Sequence, residues 1–298
     1  MNSSAAYLRL CDALMENSPA LLATDQLLRD TLTLSSGNPG KLIRARLVLA
    51  AADAHGLEEG PAERLACAVE YFHIASLLLD DLPCMDDAWT RRGRPCAHKL
   101  YGESSAILGA LAFINRAYAL TGFVFASHPA EIRLQATACL DACLGPAGLV
   151  GGQAADLSFA QSDRSAREVA MIAARKTGSL FWLAVYFPAL LGAPSQKELH
   201  ALKALCVYWG LAYQAADDLQ DALLNAFESG KTAGRDRALT RPNLAHAIGV
   251  PATQARIARL MEQSRRVVER LGATSQRWGY LGGFHREFVE PMVCAVAA

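Results

Sequence analysis

The sequence predicts an all-α protein. Strand signals are scarce, because alternating runs of β-branched residues are absent and alanine and leucine dominate. Apolar residues instead recur three and four apart through most of the chain, the spacing of one helix face. No long linker, low-complexity run or convincing internal repeat divides the sequence, so residues 1–298 are read as a single all-helical domain, a bundle of about ten or more helices.

Taken in order, the periodicity places helices at roughly 3–16, 21–34, 41–55, 61–81, 105–126, 130–143, 148–160, 166–192, 195–225, 251–271 and 276–294. The 41–55 helix starts just after Pro39-Gly40, and such a start offers free N–H groups to anions. The 61–81 helix is strongly apolar from Leu65 to Leu79 and ends on an acidic run containing Pro83, which cannot donate and crowds the preceding turn. The 166–192 helix is interrupted only by Lys176-Thr177-Gly178 and carries Pro188. Two polar, glycine-containing segments break the pattern, 81–103 and 228–243. Loops of that length in a compact domain are often functional.

Composition narrows the partners. Apolar residues make up 52% of the chain, and 29 Lys plus Arg balance 29 Asp plus Glu. A nucleic-acid partner is not expected from that balance. The Ser179–Ala193 stretch is too short to span a bilayer, so no membrane span is expected. No signal peptide is visible, and the eight cysteines include no CxxC pair. The expectation is a cytoplasmic protein with reduced cysteines.

The chemistry gathers in two acidic clusters. The first is Asp80-Asp81-Leu-Pro-Cys-Met-Asp86-Asp87 at a helix C-terminus, where the macrodipole already disfavours negative charge. Pro83 forces the chain out of the helix and turns Asp86 back towards Asp80. The second is Gln214-Ala-Ala-Asp217-Asp218-Leu-Gln-Asp221, in which Asp217 and Asp221 share a helix face with Gln214 one turn earlier. Repelling carboxylates call for a cation, and oxygen-only donors suit Mg²⁺. Two such sets facing each other would hold several Mg²⁺ ions and a bridging diphosphate. Basic residues lie near both: Lys41 and Arg44, Arg91 and Arg92, Lys176, and Lys231.

An ordered series of segments then resembles the trans-polyprenyl diphosphate synthases: PGKLIRA, VEYFHIASLLLDDLP, DDLPCMDDAWTRRGRP, GLVGGQAADL, RKTGSLF, YQAADDLQD and GKTAGRD, from about Gly40 to Gly249. The resemblance implies an isoprenoid synthase fold, with the helices around a central cavity, and a homodimer. It implies a condensation of isopentenyl diphosphate with an allylic diphosphate, with three Mg²⁺ ions held by Asp80, Asp81, Asp86, Asp217, Asp218 and Asp221. Arg91, Lys176 and Lys231 would hold the allylic diphosphate, and Lys41, Arg44, His73 and Arg92 the isopentenyl diphosphate. Thr177, Gln214 and the Lys176 carbonyl would stabilise the allylic cation. Gln153 and Asp156 fall in a segment that lines the cavity in the family or joins helices.

By the same resemblance, the small Ala75 and Ser76 before Asp80 would leave the product tunnel open, and Phe72 one turn deeper would floor it near geranylgeranyl length, with Phe113 or Ile114 as the other candidate floor. The chain departs from the family at Leu42, Ala45, Ala88, Trp89, Ala110-Leu111 and Arg241, and its C-terminus lacks the usual basic residues. A farnesyl or longer-chain synthase is the first alternative. A terpene cyclase would replace the second cluster, and a non-catalytic partner subunit would lose aspartates that are all present here.

Overall fold

A computed structural model gives the fold and describes residues 3–223, 241–291 and 293. Lys231 and the GKTAGRD segment lie outside the described residues. The all-α expectation holds: the described strands are only a two-residue pair, Thr90–Arg91 against Arg94–Pro95. By packing the chain divides into two compact units.

The first unit comprises the residues up to Asp53 and Leu57–Arg133. It contains α1 (Ser3–Glu16), a 3₁₀ turn (Pro19–Leu22), α2 (Gln26–Ser36), most of α3 (Ile43–Ala54), α4 (Glu59–Asp80), the small hairpin, α5 (Ala97–Tyr101) and α6 (Glu103–Phe125). Helix α4 is covered on every side from Leu65 to Phe72, and Ile74 and Leu78 are buried as well. Each Leu, Ile, Val or Phe side chain among them contributes about 1.5–3 kcal/mol on leaving water. The Tyr71 ring lies 5.2 Å from that of Phe113 on α6, and its hydroxyl donates to the Leu14 carbonyl at 2.6 Å. Helix α2 joins α6 through Thr31 and Ser105, whose hydroxyls are 2.8 Å apart.

The outer face of α6 stays apolar: Ile107, Leu108, Leu111 and Tyr118 are all more than 40% exposed. At 23 residues and a mean hydropathy of 1.5, α6 is long and apolar enough to cross a membrane by length and composition. The expectation of no candidate span overlooked this helix, because it weighed only the Ser179–Ala193 stretch. The face of α6 that includes Ala106, Ala110, Phe113 and Ala117 is core, a common reason for such hydropathy in a packed helix.

The second unit comprises Ala54–Gly56 and the described residues from Leu134 on. It takes in most of α7 (Ala130–Leu144), α8 (Leu149–Leu157), a 3₁₀ turn (Phe159–Gln161), α9 (Ala166–Ala173), a π-turn (Ala174–Gly178), α10 (Ser179–Leu191), α11 (Gln196–Leu223), α12 (Leu244–Ile248), α13 (Val250–Thr274), a 3₁₀ turn (Gln276–Trp278), α14 (Tyr280–Phe284) and a second π-turn (His285–Val289). Helix α9 opens on a capping box, Ser165 with Glu168.

Glu198, in the first turn of α11, anchors this unit. It accepts from the Ser195 N–H at 2.7 Å, from Arg277 at 2.7 and 2.8 Å and from the Trp278 indole at 2.7 Å. Burial alone would raise its pKa, but the hydrogen bonds from Arg277, Trp278 and Ser195 outweigh that and pull it down to about 2.

Several boundaries differ from expectation. The single helix expected over 166–192 is two helices joined by a π-turn. The helix expected over 276–294 is a series of short turns, α14 and a second π-turn. The helix expected from 41 starts at Ile43, because Leu42 takes a left-handed φ of 51°. The short helices α5 and α12 carry too few residues to show a period.

Candidate active site

In the first unit, α4 ends at Asp80 and the chain reverses as Pro83 requires. The Asp86 N–H donates to the Asp80 carbonyl at 2.9 Å, and the Ala88 N–H to the Asp81 carbonyl at 3.1 Å. Met85 and Asp87 both donate to Leu82 at 2.9 Å, and Asp87 sits at φ 45°, a region Asp tolerates better than most residues. The turn therefore sets the backbone of Asp86 against the last residue of α4. Asp80 and Asp86 are both half-buried.

Asp81 is placed differently. It is 4% exposed, and the Arg91 guanidinium grips both its oxygens, with Nε at 2.8 and 3.0 Å and a terminal nitrogen at 2.6 Å. A bidentate pair of this kind is among the stronger hydrogen-bonded contacts. Burial works against the charge on Arg91, but Asp81 more than offsets it and holds the pKa above the ordinary arginine value.

The basic residues of this unit form a second group. Arg92 donates to the Asn38 carbonyl at 2.7 Å, and its guanidinium lies against Gly40. A Cβ at Gly40 would stand 2.8 Å from that guanidinium and would push this flexible side-chain end aside. The Tyr7 hydroxyl holds the Gly40 carbonyl at 3.3 Å. Lys41 is exposed, and Arg44 lies half-buried in the first turn of α3. His73 is pushed well below its ordinary pKa by burial and then by Arg44, Arg92 and Arg91, so it stands neutral among cations.

Sequence reasoning missed Glu70. It is 2% exposed, three residues before His73; burial raises its pKa while Arg44 and Arg92 lower it. A lone carboxylate on an otherwise apolar helix face was the available signal. A small open cleft lies within this unit beside these groups, lined in part by Asn38, Asp81, Arg91 and Arg92.

Of the three residues assigned to product length, Ser76 keeps partial access, while Ala75 and Phe72 are covered. The Ser76 hydroxyl donates to the His73 carbonyl at 2.8 Å. The Phe72 ring meets Tyr118 of α6 edge-on at 5.2 Å, whereas Phe113 packs on Tyr71 in the core.

In the second unit, Asp217 and Asp221 sit one turn apart on α11, with Asp217 half-buried and Asp221 9% exposed. Asp218 points elsewhere and is 1% exposed. Its Oδ1 accepts from the Gln214 amide at 2.9 Å and its Oδ2 from the Leu244 N–H at 2.7 Å. Gln214 in turn accepts from the Thr177 hydroxyl at 3.2 Å. Thr177 belongs to the π-turn, and such turns recur at functional sites.

Close packing fixes that turn. A Cβ on Gly210 of α11 would fall 2.9 Å from the Gly178 backbone, and one on Gly152 of α8 would fall 3.0 Å from the Lys176 nitrogen. Lys176 donates to Asp156 at 2.7 Å, and Arg241 approaches the other Asp156 oxygen at 3.7 Å. Asp156 thus joins α8 to the π-turn. Gln153 lies one turn before it on α8, half-buried.

Among the described residues no three His, Cys, Asp or Glu side chains converge on a point that would hold a metal by themselves. The donors present still fit Mg²⁺, which is commonly held by one or two carboxylates and completes its shell with water and substrate phosphates. Asp80 with Asp86, and Asp217 with Asp221, are pairs of that kind. Asp81 and Asp218 each have both oxygens engaged by protein donors.

The geometry can be set beside known proteins. The sequence model of the polyprenyl synthetase family matches residues 25–273. Geranylgeranyl pyrophosphate synthase 4 of Arabidopsis thaliana is 36% identical over 257 residues, which cover 85% of this chain and 65% of that protein. A farnesyl/geranylfarnesyl diphosphate (FPP/GFPP) synthase from Zymomonas mobilis superposes with a TM-score of 0.80 at 25% identity, covering 96% of this chain and 97% of that one. A geranyltransferase from Helicobacter pylori, solved with magnesium and isoprenyl diphosphate, superposes equally well at 22% identity and covers the same shares, a likeness of fold.

Proposed function

This chain belongs to the polyprenyl synthetase family, and on that premise we propose that it is a trans-prenyltransferase that condenses isopentenyl diphosphate with an allylic diphosphate. The observation that carries this reading is the Thr177–Gln214 pair at the π-turn, one helical turn before Asp217. It places uncharged oxygen dipoles next to a carboxylate pair suited to a diphosphate-bound metal, which is what ionisation of an allylic diphosphate needs.

Asp80 and Asp86, and Asp217 and Asp221, would hold Mg²⁺, three ions in all. Bound there, Mg²⁺ would supply the positive charge that lets the allylic diphosphate depart. Lys41, Arg44 and Arg92 bind the isopentenyl diphosphate as fixed positive charges, and neutral His73 supplies a ring nitrogen beside them. The family resemblance assigns the allylic diphosphate to Arg91, Lys176 and Lys231. The Thr177 hydroxyl, the Gln214 carbonyl and the Lys176 carbonyl face the developing allylic cation. The double bond of isopentenyl diphosphate attacks that cation, a proton leaves the adduct, and the released diphosphate accepts it. Apolar walls exclude the water that would otherwise quench the cation.

The product we propose is geranylgeranyl diphosphate, in line with the small residues before Asp80 and with the named activity of the Arabidopsis relative. We further propose that the whole chain acts as one catalytic domain, in the cytoplasm and as a homodimer. The exposed Ile107, Leu108, Leu111 and Tyr118 stripe of α6 supports association with a second copy, which would cover it.

Labelled isopentenyl diphosphate with dimethylallyl, geranyl and farnesyl diphosphates in turn tests the reading. Incorporation that needs Mg²⁺, and that falls by orders of magnitude in both Asp80→Ala and Asp217→Ala while both variants keep their helical circular dichroism, supports it. No incorporation with any primer, or normal turnover in either variant, overturns it.

A further inference from the structure

We propose that Asp218 is a positioning residue that fixes which end of the Gln214 amide faces the allylic cation. The inference rests on the prenyl-transfer reading above and deepens it. An ionised carboxylate only accepts hydrogen bonds. Asp218 Oδ1 lies 2.9 Å from one end of the Gln214 amide, so that end is the NH₂ group. The other end is then the carbonyl oxygen, and the Thr177 hydroxyl donates to it at 3.2 Å. Asp218 cannot turn away, because its second oxygen is held by the Leu244 N–H at 2.7 Å and its backbone carbonyl by the Asn243 amide at 3.2 Å. Burial to 1% exposure keeps water from competing. A chain of bonds thus runs from a backbone N–H at the start of α12, through Asp218 and Gln214, to Thr177 in the π-turn. Its direction is set at the Leu244 end, since a backbone N–H has no second polarity.

The isosteric variant D218N inverts this chain without breaking it. Leu244 still donates, so the new amide must turn its oxygen to Leu244 and its NH₂ to Gln214. Gln214 then flips, its carbonyl accepts from position 218, and its NH₂ faces the Thr177 oxygen. Each of these bonds is kept, yet the positive end of the amide dipole now faces a cation.

The test compares wild type, D218N and the double variant D218N/Q214E by steady-state kinetics and thermal melting. Removing one preorganised dipole commonly costs about 10²–10³ in turnover, and reversing it should cost at least tenfold. D218N should lose that factor in kcat, with the KM values for both diphosphates and the half-saturating Mg²⁺ concentration changed by less than about threefold. In D218N/Q214E the second substitution restores an acceptor-only group between position 218 and Thr177, and kcat should recover by about tenfold or more.

Wild-type kcat in D218N overturns the proposal. So does a rise in half-saturating Mg²⁺ matching that of D217N, which would make Asp218 a metal ligand, or a double variant no faster than D218N. A D218N protein unfolded at the assay temperature also counts against it, since the inversion keeps the bonds to Leu244, Gln214 and Thr177. Absence of turnover in wild type would instead strike the prenyl-transfer reading itself.

Discussion

Substituting Gly210 by alanine should damage both stability and turnover, and the amounts follow from one contact. The added Cβ would stand 2.9 Å from both the Cα and the nitrogen of Gly178. Carbon atoms in ordinary contact sit about 3.5–4.0 Å apart, so α11 and the π-turn must separate by roughly 0.6 Å or more. Neither side can yield by rotating a side chain, because both are backbone. Overpacking of this kind costs typically about 1–3 kcal/mol. For a protein of this size that lowers the melting temperature by about 2–4 °C per kcal/mol. The functional loss follows because Gln214 lies one turn along α11 from Gly210 and Thr177 adjoins Gly178. A 3.2 Å hydrogen bond stretched by that separation no longer counts as one. Differential scanning fluorimetry and initial rates decide the matter, with Gly272→Ala as the control. No neighbour lies within 4 Å of a Cβ at Gly272 in α13, and alanine there should leave turnover unchanged and add up to about 1 kcal/mol. Gly210→Ala melting with wild type and turning over normally would refute the claim that backbone contact positions the pair.

Three further outcomes are expected. Changing Lys41, Arg44 or Arg92 to alanine should raise the KM for isopentenyl diphosphate about tenfold or more, a charged hydrogen bond being worth roughly 1.5–3 kcal/mol, with a smaller effect on the allylic KM. Gly40→Ala, which pushes on the Arg92 guanidinium, should share that signature; equal effects on both substrates would dissolve the division of labour. Ser76→Phe should shorten the main product to farnesyl diphosphate, as read by chromatography after dephosphorylation. Ala75→Tyr should do the same at a greater cost in stability, since Ala75 is already covered, and an unmoved product distribution in both would discard this account of chain length. The depressed pKa of Glu198 gives stability that is complete above the ordinary carboxylate pKa near 4.5 and is lost as pH falls from there towards about 2. Melting temperatures across that range should fall more steeply in wild type than in Glu198→Gln, and parallel curves would show the carboxylate is not the source.

Asp80, Asp86, Asp217 and Asp221 were legible in the sequence because spacing alone sets carboxylates on one helix face or across a proline-forced turn. The Thr177–Gln214 pair was assigned through family resemblance, and the structure brings the two together. The separate tasks of Asp81 and Asp218 were not legible. Within an Asp-Asp pair the sequence treats both as equals, and only tertiary contacts with Arg91 and Leu244 distinguish the buried member. Glu70 escaped notice because its partners, Arg44 and Arg92, stand 26 positions before and 22 after it in the chain. Helix lengths were read well where apolar spacing was regular, as in α1 and α13. The reading missed the π-turns at 174–178 and 285–289, since a π-turn keeps every residue helical: Lys176-Thr177-Gly178 stood out as an interruption but not as a change of helix type, and 285–289 carries no proline or glycine.

The π-turn at Ala174–Gly178 also acts as a phase shifter. A π-turn admits about one residue more than the 3.6 of an α-turn, so α10 starts about 100° out of phase with the stripe that Val169, Ile172 and Ala173 present on α9. A one-residue deletion inside the turn would therefore not shorten a loop. It would rotate the whole of α10, carrying Phe181 away from Trp209 and exchanging buried for partly accessible positions along the helix. An insertion of equal size in the exposed connection 162–165 would cost at most the local bonds of Ser162 and the Ser165 cap and would leave the phase of every helix unchanged. Tolerance to length change is thus set here by angular bookkeeping along a helix axis rather than by distance from the reacting atoms.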